Sequence, residues 1–169
     1  MNALRRLLRR APLPETVALE ADEHVLARAE VVGGGEVVAT TRGLWLPGTG
    51  RMGWHLISKA TWRSGTLSVV PAREVDNLAG AVLIADLPVR RLRLSAQPGR
   101  LPEVVHRRVT GSIRSRHHRS LPGGGAWFVQ RTVPGRDGIV LQVRADPGTD
   151  DAAVRQVAGD VARTLRLDH

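Results

Sequence analysis

Cysteine and tyrosine are absent from this 169-residue chain, and lysine occurs once, at Lys59. Without cysteine there is no disulfide, no thiol nucleophile and no thiolate metal ligand. No apolar run approaches the roughly 20 residues that a helix needs to cross a bilayer, so a soluble or peripheral protein is expected. The motifs of common hydrolases are missing as well: there is no G-x-S-x-G nucleophile elbow and no H-E-x-x-H zinc helix. No pair of carboxylates is placed by spacing alone for acid–base work; Asp146, Asp150 and Asp151 stand where turns and helix caps use such residues. The chain therefore reads as non-catalytic, with no cofactor and no metal.

What is abundant is arginine. The formal net charge is +9, and it is unevenly placed. Residues 1 to 10 carry four arginines and no acid, residues 11 to 89 carry six bases against nine acids, and residues 120 to 169 balance. Residues 90 to 119 carry nine arginines against Glu103 alone. Blocks of this kind mark contact with an acidic protein surface, an anionic membrane or nucleic acid, although a solvated face that keeps the protein soluble has the same composition. At this length, with 42% hydrophobic residues, the chain can bury a real core as one domain, or one domain with an appendage.

Residues 36 to 70 organise the rest. Val37 to Thr41 and Leu44 to Leu46 are short β-favouring runs around Arg42-Gly43, and Pro47-Gly48-Thr49-Gly50 has turn chemistry. Met52, Trp54 and Leu56 then alternate with Gly53, His55 and Ile57, which predicts a strand, and Ser64-Gly65 turns into a Thr66 to Val69 strand. The order Thr-Thr-Arg-Gly-Leu-Trp-Leu, a glycine turn, Gly-Trp-His-Leu-Ile, then Gly-Thr-Leu-Ser-Val resembles the bacterial pleckstrin-homology-like modules. It is also similar, over most of the chain, to an uncharacterised family of small proteins from high-GC bacteria. The resemblance implies a bent antiparallel β-roll closed by a helix, and supplies no catalytic residues.

The expected fold class is thus α+β, with three parts in chain order. Residues 1–19 comprise a basic amphipathic helix, MNALRRLLRR, and a linker; its leucines fit either the domain or an anionic membrane surface. No export signal follows it, which points to the cytoplasm, including the inner face of the membrane. Residues 20–110 form the roll: a first strand near 24–32, the central stretch, a doubly covered Ala81 to Ala85 strand, and a closing helix from Leu101 to about Thr110. Residues 111–169 form a three-stranded meander (112 to 120, 126 to 133, 139 to 145) and a helix whose stripe is Val154, Val157, Ala158, Val161 and Leu165. In the last strand Ile139, Leu141, Val143 and Ala145 are expected to face inward, and Val140, Gln142 and Arg144 outward.

Three constellations bear on function. Gly48-Thr49-Gly50-Arg51-Met52-Gly53 matches G-x-G-x-x-G, but a strand pattern follows where the dinucleotide fingerprint needs a helix. His117 and His118 alternate across a strand and so cannot share a metal ion. The basic residues Arg90, Arg91, Arg93, Arg107, Arg108, Arg114 and Arg116 are the candidate binding surface for an acidic protein or anionic membrane. The alternative is nucleic acid on the C-terminal sheet. Symmetric pairing about the glycine turns sets Phe128 opposite His118 and Arg144 and beside Arg116, an aromatic ringed by cations. A slip of one residue would bury Phe128 instead.

Overall fold

The computed structural model describes residues 12–167, and its architecture is α+β. The basic segment Met1 to Arg10 lies outside the described residues. Strands β1 (Val25–Glu30), β2 (Glu36–Thr40), β3 (Gly43–Leu46) and β4 (Gly50–Gly53) form an antiparallel meander in that order. The glycine motif at 48–53 is the β3–β4 hairpin, with the Thr49 N–H bonded back to the Leu46 carbonyl at 3.3 Å. Its amides open a strand, so no helix N-terminus is present there to hold a phosphate.

The strand expected through Trp54 and Leu56 is instead a single 3-10 turn, Trp54–Leu56. The turn carries the chain from the first sheet to the second and drives the indole into the core, where its Nε1 donates to the Thr40 carbonyl at 3.0 Å. Strands β5 (Ile57–Arg63), β6 (Thr66–Leu78), β7 (Ala81–Asp86) and β8 (Arg90–Arg93) follow. Strand β6 serves two neighbourhoods. From Thr66 to Val69 it lies between β5 and β8, and from Ala72 onward it pairs with β7. Pro71 sits at the changeover, where a residue without an N–H costs the ladder least, and its carbonyl accepts from the Leu87 N–H at 2.8 Å.

A bridge between Val31 and Leu94, with the Val32 N–H on the Arg93 carbonyl at 2.8 Å, joins the end of β1 to the end of β8. Helix α1 (Leu101–Gly111) then inserts Leu101, Val104, Val105 and Val109 among Val37, Leu44, Trp54, Ile57, Val69 and Leu92. Pro102 is tolerated because the first helical turn has no partner for its missing N–H. Beside β3 and β4, residues 20–23 are fastened by ions: Arg42 pairs with Glu20 and Asp22, and Arg51 with Glu20 and Glu23. Burial alone would raise the Glu23 carboxyl. Hydrogen bonds from Thr40, the Glu20 N–H and Trp45, with the Arg51 charge, hold it below the usual glutamate range instead.

Strands β9 (Ile113–Leu121), β10 (Gly124–Thr132) and β11 (Ile139–Ala145) form the second meander. Strand β11 runs parallel to β7, so the sheet continues in the order β6, β7, β11, β10, β9. Helix α2 (Asp151–Leu167) covers one face, packing Val154, Ala158 and Ala162 on Ala81, Leu83, Ala126, Phe128, Leu141 and Val143. Val82 and Ile84 point to the other face, with Ala72 and Val140, so β7 is covered on both sides as its continuous apolar run predicts.

That second face is where β11 departs from the expected alternation. Gln142, read as outward, is 2% exposed because this face leans on the 3-10 turn, and its Nε2 donates to the His55 carbonyl at 2.7 Å. Ile139, read as inward, is 55% exposed at the strand's end. Arg131 stands beside Gln142 and is 3% exposed. Its guanidinium donates to the Trp54, His55, Ile57 and Val109 carbonyls and to Ser112 Oγ, at 2.8 to 3.2 Å. No carboxylate touches it among the described residues. Burial pulls its pKa down to about 10, and the carbonyls of the turn and of the end of α1 take the place of a counter-ion.

Candidate functional site

The site begins at a two-residue turn. Pro122 fixes its own backbone angle and Gly123 takes φ of +83°, so the chain reverses between Leu121 and Gly124, which pair directly. From there the register is set: Phe128 pairs with His117 and Val143, and Trp127 with His118 and Arg144. Both hairpins are therefore one residue away from symmetric pairing about the glycine cluster, and Phe128 is not the exposed aromatic. It lies under α2, 7% exposed. The aromatic flanked by cations is Trp127.

Residues paired across an antiparallel ladder share a face. The face away from α2 thus holds Trp127, His118 and Arg144, and next to them Val129, Arg116 and Gln142. The Arg116 guanidinium lies 4.6 Å from the Trp127 ring centroid, and the His118 ring meets it edge-on at 5.0 Å and 64°. Gly125 makes room for that imidazole, since a Cβ there would come within 2.5 Å of it. The Nε2 of His118 is 2.6 Å from Asp146 Oδ2. Arg144 reaches Asp86 at 3.3 Å, and Ser58 Oγ donates to the same carboxylate at 2.5 Å.

Pairing between β7 and β11 stops at Leu83 and Val143, and the two strands separate beyond it. The opening is a groove of about 660 Å³, lined by Arg73, Asp86, Trp127, Arg144, Asp146 and Arg155 among others. Its charges alternate in sign, so it offers no pure anion site, and it holds no nucleophile beside a base. His117 and His118 point to opposite faces, and among the described residues no three His, Asp or Glu side chains stand close enough to share a metal.

The other sequence-predicted residues are distributed around the molecule. Arg90 shares its side of β8 with buried Leu92; it is half-buried and donates to the Pro47 carbonyl at 3.2 Å. Arg91 and Arg93 project from the opposite side and are exposed. Arg107 pairs with Glu103 along α1, and Arg108 lines a groove of about 370 Å³ with Thr41, Trp54 and Pro134. Arg114 is exposed at an irregularity where the register shifts between Ser115 and Ile113. The structure therefore brings together Arg116, His118 and Arg144, and separates Arg90 from Arg91 and Arg93.

Sequence reasoning missed Trp127, Asp86 and Asp146 as members of the site. The signal for the first was present: read as a two-residue loop, Pro122-Gly123 places Trp127 opposite His118. No helix among the described residues is long and apolar enough to cross a membrane. Compared with family models, curated proteins and solved structures, the chain matches none.

Proposed function

We propose that this protein is a non-catalytic binding module that holds an acidic protein surface through arginines its own fold leaves unpaired. One observation carries this reading. Of the nine arginines in residues 90–119, Arg100 and Arg107 have a carboxylate partner among the described residues, and both share Glu103. Arg91, Arg93, Arg114 and Arg119 are exposed, and among the described residues no acid pairs with them. Unpaired surface charge of one sign raises the local concentration of oppositely charged partners and weakens with salt. A pleckstrin-homology-like description of the roll accompanies the proposal. The four-strand meander, the strands β5, β6 and β8, and α1 packed into their common core support it.

A second reading is nucleic-acid binding on the Trp127 face. The stacking of Arg116 on Trp127, with Arg144 on the same face, favours it, because bases stack on aromatic and guanidinium planes alike.

The test is binding of the full chain to poly-glutamate, to phosphatidylglycerol vesicles and to single-stranded RNA across a salt series. Poly-glutamate is expected to bind and to release with salt. Replacing Arg91, Arg93, Arg114 and Arg119 together by glutamine should weaken it about tenfold or more. Tighter binding of RNA, lost in Trp127→Ala, would move the conclusion to the second reading. Preference for the vesicles would move it to a membrane, and no binding to any anion would end it.

A further inference from the structure

Strand β9 terminates the second sheet. It pairs with β10 on one side and, among the described residues, with no strand on the other. The opposite terminus, β5, has α1 beside it, where Val105 and His106 face Ala60 and Trp62 across a groove.

The phase of the hydrogen bonding identifies which backbone groups β9 presents outward. The Asp146 N–H bonds to the Gly125 carbonyl at 2.9 Å, so odd-numbered residues of β10 bond toward β11 and even-numbered ones toward β9. Through the register, Ser115, His117, Arg119 and Leu121 exchange bonds with β10, and Arg116, His118 and Ser120 turn their N–H and C=O groups away from the sheet. The side chains alternate as well. Arg116 lies on the Trp127 face and Arg119 on the opposite one, so a strand added at this edge meets a guanidinium on each side.

We propose that β9 is the docking edge for an extended acidic segment of another protein, which adds as a further antiparallel or parallel strand. This rests on the acidic-partner reading and gives it a geometry: backbone bonds to Arg116, His118 and Ser120, and carboxylates set against Arg116 and Arg119. Charge selects the occupant. Two copies of this chain meeting at β9 would lay the same arginines along one seam, and like charges across a ladder are unfavourable, as on basic edges that resist self-pairing. A nucleic acid has no alternating donor and acceptor row at strand spacing to satisfy these groups.

The experiment uses the full chain with a synthetic peptide that repeats Glu-Glu-Val-Val, which sets carboxylates on both faces of an added strand, and with the same peptide N-methylated at its glutamates, which blocks donors on both edges. Methylation removes strand donors and leaves the charge unchanged. The unmodified peptide is expected to bind and to slow amide exchange at Arg116, His118 and Ser120 by about tenfold or more, with the methylated peptide about tenfold weaker. Equal binding of both peptides without protection at these amides overturns strand addition, while the acidic-partner reading stands. Protection of the same amides by single-stranded RNA in place of the peptide also overturns it. Failure of both peptides and of poly-glutamate removes the inference together with the reading beneath it.

Discussion

The segment 20–51 and strand β9 are built with the same cation and use it in opposite ways. In the first, Arg28 is matched to Glu36, Arg42 to Glu20 and Asp22, and Arg51 to Glu20 and Glu23, so each charge is consumed in fixing one piece of chain on another. In β9, no acid pairs with Arg114 or Arg119 among the described residues, and Arg116 rests on an indole. Each stretch carries three arginines. The difference lies in the acids, which are interleaved with the arginines between residues 11 and 89 and absent from the sequence of β9. Arg131 belongs to neither class: it is the buried cation on which the roll and the second sheet meet.

The largest way to break this comparison is Arg131→Ala. The side chain donates to four carbonyls and a hydroxyl around the 3-10 turn and at the end of α1, and truncation empties that buried site and removes all of these bonds at once. Deleting a large buried side chain that makes several hydrogen bonds costs about 3–5 kcal/mol, a large share of the stability of an ordinary domain. Denaturant melts followed by tryptophan fluorescence should show it. Arg131→Lys should rescue only part of the loss, because one ammonium cannot span the five acceptors that a planar fork reaches.

How much of this was legible follows from where each signal lies. Alternation and turn residues located β9 to β11 and both helices to within a residue or two, because those patterns are local. The register was not local. Five turn-forming residues, Leu121 to Gly125, admit more than one hairpin, and only the one that turns at Pro122-Gly123 sets Trp127 among the cations and buries Phe128. Arg131 and Gln142 were unreadable on principle. Each is a polar residue with partners more than 70 positions away in the chain, around the 3-10 turn at His55. That turn was itself read as strand, since a buried tryptophan at alternating spacing looks the same in either conformation.

Acid offers an intermediate test. Burial, with Arg131 and Arg136 nearby, pushes the His55 pKa down to about 4, and among the described residues its Nδ1 has no hydrogen-bond partner. The unfolded chain therefore takes up a proton at His55 below about pH 6.5 that the fold refuses until about pH 4, and stability falls as pH drops through that window. Glu23 adds a later loss of the same sign. Its carboxyl is held low in the fold, so its contribution is present at neutral pH and disappears as pH falls through the folded value. Thermal melts from pH 7 to 4 should descend in the parent and run flatter in His55→Asn. Parallel slopes would show that the strain at this seam does not depend on the imidazole.

The smallest expected effect is the one that gives the comparison its meaning. Arg119→Met keeps the length of the side chain and removes a charge that touches no acid, so stability should change by no more than about 0.5 kcal/mol. Arg51→Met, measured in the same way, strips Glu23 of its cation while Glu20 keeps Arg42, and it should cost more, because Glu23 is buried and would keep its charge without a partner cation. If Arg119 proved as costly as Arg51, the β9 arginines would be part of what holds the sheet together, and their availability to a partner would lose its physical basis. If Arg119→Met leaves the melt unchanged and still weakens poly-glutamate binding, the fold has no use for that charge and the partner does.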